Sequence, residues 1–221
     1  MSVVWDGITA LHVLGEGHGA VRHELADAAK SYAWTKVLSL LEAHPSLVNT
    51  TRPDGTSLYA PLHQAAHGNA PREICEALIR MGAWRMLENA RGERPVDLAN
   101  RLGHERVTAI LEPVHLLRVP FGVLRKIQTH FHTVILGRAA DLVRDKVLRL
   151  PEIGHLLEVG VDAEPTWFAV PGMYGGFSYR LAADGVDARL VVKSWCRVVE
   201  GSGQRHEITS AGARLVDEGF V

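Results

Sequence analysis

In the first half of the chain, apolar positions recur every three or four residues in short blocks, and prolines or glycines separate the blocks. Leu25, Ala28 and Ala29, then Trp34, Val37, Leu38 and Leu41, predict a helix pair within 23–42 that His44-Pro45 stops. Runs over 61–66 and 73–79 predict a second pair, and runs over 95–99 and 106–111 a third. Farther on, Leu124, Ile127, Phe131, Val134 and Ile135 stand opposite Arg125, Lys126 and Gln128. That pattern predicts an amphipathic helix over 121–136, started by Pro120, with a second helical stretch over 139–148 after Gly137. Pro151 stops that stretch, and one or two further turns are expected within 152–157.

After Pro165 the period falls to two. Phe177, Tyr179 and Leu181 alternate with Ser178 and Arg180, while Val192, Ser194 and Cys196 alternate with Lys193, Trp195 and Arg197. With the apolar run 167–170, a strand over 190–199 and another within 205–209, these predict an antiparallel sheet of three or four strands. Thr209 or Ser210 is expected to cap a short closing helix through Val216. The expected fold is α + β. A lead-in segment (1–19) precedes a helical repeat stack (20–113), and a small α+β module (114–221) follows.

The helical half repeats. Pro61-Leu62-His63-Gln64-Ala65-Ala66 and Pro95-Val96-Asp97-Leu98-Ala99 each follow a turn, Asp54-Gly55 and Arg91-Gly92, and the two glycines lie 37 residues apart. Gly82-Ala83 and Gly103-His104 complete the pattern, which resembles the ankyrin-repeat family, whose period is about 33. Proline fits the first helical turn, where its missing N–H costs nothing, and Gly82 permits a left-handed residue at a helix end. Ala60 and Arg94 stand where the family has threonine, and Asp97 stands where His63 matches it. The resemblance covers about residues 20–113, two to three units, and implies a scaffold that binds a partner through a concave face and loop tips. The tips nominate Asp54, Ser57, Tyr59, Met86, Glu88 and Arg91, and Trp84 is a candidate anchor at a repeat end.

Composition adds bounds. With 47% hydrophobic, 22% charged and 6% aromatic residues, the chain has material for a core, and no run of about 18 apolar residues suggests a membrane span. The opening Met-Ser-Val-Val-Trp-Asp lacks the pattern of a signal peptide, so a cytoplasmic location is expected. Cys75 and Cys196 make neither a disulfide framework nor a metal site. His130 and His132 are too closely spaced to share a helix face, so no metal is expected. No strand is predicted before Gly15-Glu16-Gly17-His18-Gly19, so it reads as a flexible loop rather than a phosphate site, and no cofactor is expected.

A formal net charge of −1 gives no bulk reason to expect nucleic acid. Locally, 118–149 carries seven basic and two acidic residues, whereas the chain after Leu150 carries six basic and ten acidic. The basic helices are expected to pair with the acidic module. Between the predicted strands, the glycine-rich loop around Met173 and Tyr174 offers open backbone, and Trp195, Arg197, Gln204 and Arg205 are types that build recognition pockets. His206 is a candidate proton-transfer residue, with Tyr174 or Gln204 to orient it.

The expected function is therefore a protein–protein interaction adaptor. A small-ligand binder or enzyme around Tyr174, Trp195, Arg197 and His206 is the alternative, and a nucleic-acid regulator acting through 118–149 is a weaker one. A protein partner is expected, a small molecule is admitted, and a membrane is not.

Overall fold

The structure is a computed structural model that describes residues 4–197 and 202–219. Among these the chain forms seven α-helices and a six-stranded sheet, a mixed α/β composition. It divides into two compact units. One is Ile8–Pro113; the other joins the N-terminal residues through Gly7 to the chain from Val114 onward.

The first unit is three helix pairs: α1 (Glu16–Lys30) with α2 (Trp34–Ala43), α3 (Pro61–His67) with α4 (Arg72–Arg80), and α5 (Pro95–Leu102) with α6 (Glu105–Leu111). Helices α1, α3 and α5 pack side by side in one layer, and α2, α4 and α6 in a second. Between them lies one apolar core that includes Leu25, Val37, Leu41, Leu62, Leu78, Val96, Leu98 and Leu111. Alanines are part of that core, among them Ala28, Ala65, Ala66 and Ala99, all buried.

All three pairs turn the same way. The turn residue is left-handed each time: Tyr32 (φ 58°), Asn69 (φ 46°) and Gly103 (φ 72°). The next N–H then returns to a carbonyl five residues back, Ala33 to Ala28, Ala70 to Ala65 and His104 to Ala99. These hydrogen bonds satisfy helix-end carbonyls that would otherwise be orphaned. The first glycine-rich stretch is helical rather than a loop: α1 starts at Glu16 and takes in Gly17 and Gly19.

The second unit is a sheet in sequence order, β1 (Val4–Trp5), β2 (Thr166–Val170), β3 (Gly175–Ala183), β4 (Arg189–Cys196), β5 (Ser202–Thr209) and β6 (Gly212–Gly219). Only β1 and β2 run parallel. One face carries Phe168, Phe177, Tyr179, Leu181, Leu190, Val192 and Ile208, all buried. Against it lies α7 (Phe121–Asp145), with the Phe131 ring 4.9 Å from that of Tyr179. Helix α7 is kinked at Ala139 (φ −142°, ψ 25°), so the expected break after Gly137 is a bend within one helix.

The sheet therefore has six strands, not three or four. Two signals were misread. Val4–Trp5 belongs to the sheet rather than to a lead-in segment, and its Trp5 Nε1 donates to the Arg149 carbonyl at 3.0 Å. The expected closing helix through Val216 is strand β6. Thr209 Oγ1 does accept from a backbone N–H, that of Ala211 at 3.2 Å, but it closes the turn of a hairpin. A threonine hydroxyl serves a turn as readily as a helix cap. The end of the expected strand 190–199 lies outside the described residues.

Candidate functional site

The helical unit carries a concave surface. A groove of about 640 Å³ runs over α1, α3 and the loop 50–59, and its walls include Lys30, Tyr32, Arg52, Tyr59 and His67. A second hollow of about 460 Å³ continues it past the same Tyr59 and His67 to Arg91 and Arg101.

An aromatic ladder forms the floor. Tyr32 stacks between Trp34 (centroids 5.8 Å apart) and His67 (6.4 Å), and Tyr59 lies over His63 (5.6 Å) and against His67 (6.1 Å). The Tyr32 hydroxyl and His67 Nδ1 are hydrogen-bonded at 2.7 Å. Tyr32 reaches His67 because its backbone is left-handed, a conformation a bulky side chain rarely adopts. Gly68 completes the fit: a Cβ there would lie 2.4 Å from the Tyr32 ring.

His63 supports the ladder from beneath. It is fully buried; the Ala60 N–H donates to its Nδ1 at 3.3 Å, and Nε2 bonds the Glu93 carbonyl at 3.3 Å. In the next helix pair Asp97 takes that place, accepting from the Arg94 N–H at 2.9 Å. The Arg94 guanidinium beside it holds the Asp97 carboxyl below the usual range. Loop tips are tied to one another: Asn49 bridges to the Trp84 N–H and the Gly82 carbonyl, and the Ser57 carbonyl accepts from the Ala90 N–H.

The rim is basic. Lys30, Arg52, Arg91 and Arg101 line the two hollows with the carboxylate of Asp54, while Arg22 lies buried beneath and donates to the Ile8 carbonyl. Arg52 pairs with Asp27, and Arg101 with Glu93 at 2.5 Å, so both are held in place at the edge.

Of the residues nominated in this unit, Tyr59 and Arg91 line the groove, as do Asp54 and Ser57. Asp54 also accepts from the Leu11 N–H, which fixes the tip. Met86 and Glu88 are half-buried beside the tips. Trp84 is 6% exposed, a packing residue rather than an anchor. Tyr32, His67 and Arg101 were not foreseen. Tyr32 occupies the turn position where the other pairs have asparagine and glycine, which only the backbone conformation reveals.

No protein-family model matches the chain. No curated protein matches it either.

The residues nominated in the sheet unit do not form one site. Val192 pairs with His206, so His206 points to the face that α7 covers, whereas Trp195, one residue out of phase with Ser194, points to the opposite face. Burial, and the Arg138 cation next, push the His206 pKa down. Tyr174 is 73% exposed beside Gly175, which pairs with Cys196, four residues along β4 from the partner of His206 and about 13 Å away. Met173 is buried, and its carbonyl accepts from Cys196 Sγ. Gln204 bonds Glu218, and Arg205 contacts Glu207 at 3.5 Å.

The basic side chains of 118–149 are engaged within their own unit. Arg125 lies over Phe121, Arg138 donates to Ser202, Arg144 pairs with Asp141, and Arg149 pairs with Glu152. Among the described residues no cluster of three metal-ligating side chains occurs, and no helix is long and apolar enough to cross a membrane.

Proposed function

We propose that the helical unit is an ankyrin-type stack and that the protein is an interaction adaptor whose groove holds an acidic peptide segment of a partner protein. The observation that carries this reading is the Tyr32–His67–Tyr59 ladder, an aromatic floor under a basic rim. Aromatic side chains give large contact area at little entropic cost, and the surrounding cations select a carboxylate-rich ligand. The three like-handed helix pairs and the His63 bonds to Ala60 and Glu93 support the stack.

Affinity capture from a native extract tests it. The wild-type chain is expected to retain one dominant partner, and Gly68→Ala, which drives a methyl group into the Tyr32 ring, is expected to reduce retention about tenfold with the fold intact. Tyr59→Ala is expected to do the same. Equal retention by all three chains counts against the groove.

A further inference from the structure

The sheet has a second face, opposite α7, and its side chains are unlike those of any solvated strand pattern expected by alternation alone. One cross-strand row reads Trp167, Ser178, Lys193, Arg205, Asp217 from β2 to β6. The adjoining row reads Ala169, Gly176, Trp195, Gly203, Gly219. Trp195 thus stands between glycines on both neighbouring strands, 38% exposed, with the Arg197 guanidinium over its ring at 5.2 Å. Gly176 is required by the backbone itself, since a Cβ there would lie 2.1 Å from the Phe168 carbonyl oxygen. On one side the Trp167 ring lies against Gly176, 3.0 Å from where a Cβ would sit, and the Trp195 indole itself stays exposed.

The charges are only partly matched: Arg205 faces Asp217 on β6 but Lys193 on β4. Lys193 lies directly opposite Arg205, and like charges in that position destabilise a sheet. Among the described residues no carboxylate pairs with Lys193. One strand-step away, three arginines, Arg189, Arg205 and Arg214, converge on the single carboxylate of Glu207, at 3.5, 3.5 and 3.1 Å. An unfavourable local arrangement in an otherwise consistent fold points to a ligand that relieves it.

We propose that this face binds single-stranded nucleic acid, with bases stacked on Trp195 and backbone phosphates over Lys193 and Arg205. An anion is demanded by the facing cations, and a planar unpaired group by an exposed indole standing between glycines. A base–phosphate polymer supplies both, and an acidic peptide supplies only the first. Duplex DNA hides the faces its bases would need to stack. The inference is independent of the groove in the helical unit.

The test is fluorescence anisotropy with a labelled twelve-nucleotide oligo(dT) and its oligo(U) counterpart, using the full chain at low salt. Saturable binding is expected, with log affinity falling against log salt at a slope of about −1.4 for two phosphate contacts. Trp195→Ala is expected to weaken it about 5- to 150-fold, the range for one lost base stack. Lys193→Glu is expected to abolish it while the melting temperature holds or rises, because the substitution sets a carboxylate opposite Arg205. The proposal is overturned by absence of saturable binding, by equal binding in both variants, by equal affinity for duplex DNA, or by displacement with polyglutamate as readily as with unlabelled oligonucleotide.

Discussion

His63 and Asp97 satisfy the same donor in successive helix pairs with different chemistry. Each sits at the third helical position and accepts the N–H that precedes Pro61 or Pro95. Both were legible as motif positions, because a proline at the first turn fixes where the third residue points. Tyr32 was not legible. Nothing in Ser31-Tyr32-Ala33 announces a left-handed tyrosine, and the conformation is imposed by the turn that Asn69 and Gly103 occupy in the other pairs. His155 makes a sharper point about single residues. Its Nδ1 bonds the Glu152 carbonyl, so Nδ1 carries the hydrogen and Nε2 accepts from the Thr166 hydroxyl at 2.9 Å. Burial pushes its pKa from 6.5 down to about 3. The unfolded chain binds that proton below pH 6.5 and the folded chain only near 3, so stability falls as the pH drops through that window. His155→Gln removes the proton uptake. Urea melts between pH 7 and 4 are expected to show a flatter loss of stability in that variant, and an unchanged slope would contradict the assignment.

At the scale of elements, regular stretches with strong punctuation were readable and competing signals were not. Helices α3 and α5 open on proline and end at glycine, α4 and α6 follow them as apolar runs, and all four are predicted within a few residues. Helix α1 was cut short because three glycines argued against it. The packing of Leu25, Ala28 and Ala29 into the core outweighs the cost of Gly17 and Gly19. That cost is recoverable at one of them. A Cβ at Gly17 meets nothing within 4 Å, whereas one at Gly19 lies 2.7 Å from Leu11 Cδ1. Gly17→Ala is expected to stabilise the helical unit by about 1 kcal/mol in chemical denaturation, and destabilisation would show that the first turn of α1 is not helical in solution. Strand β6 was misread because seven of its eight residues are exposed, so it lacks the alternation that marks a strand. Its pairing with β5 comes from the hairpin turn at Ser210-Ala211, a tertiary consequence of where Thr209 sits.

At the scale of the whole molecule, the N-terminus belongs with residues more than 140 positions later in the chain. Trp5 is buried; its indole donates to the Arg149 carbonyl, and the Arg149 guanidinium lies over the ring at 5.4 Å. Periodicity cannot announce a two-residue strand whose partner is so distant. Deleting residues 1–7 is expected to speed amide exchange in β2 and β3 while leaving α3 to α6 protected, since those helices lie in the other unit. Uniform loss of protection, or none, would contradict the division.

The central claim is that the Tyr32–His67–Tyr59 groove is where a protein partner binds. It is tested most directly by placing a photo-crosslinking amino acid at position 59 and, as a control, at Val186, an exposed position in the sheet unit. After irradiation in native extract, the account predicts one dominant adduct from position 59, on an acidic segment of a single protein, and none of it from position 186. The same adducts from both positions, or none from position 59, would contradict it.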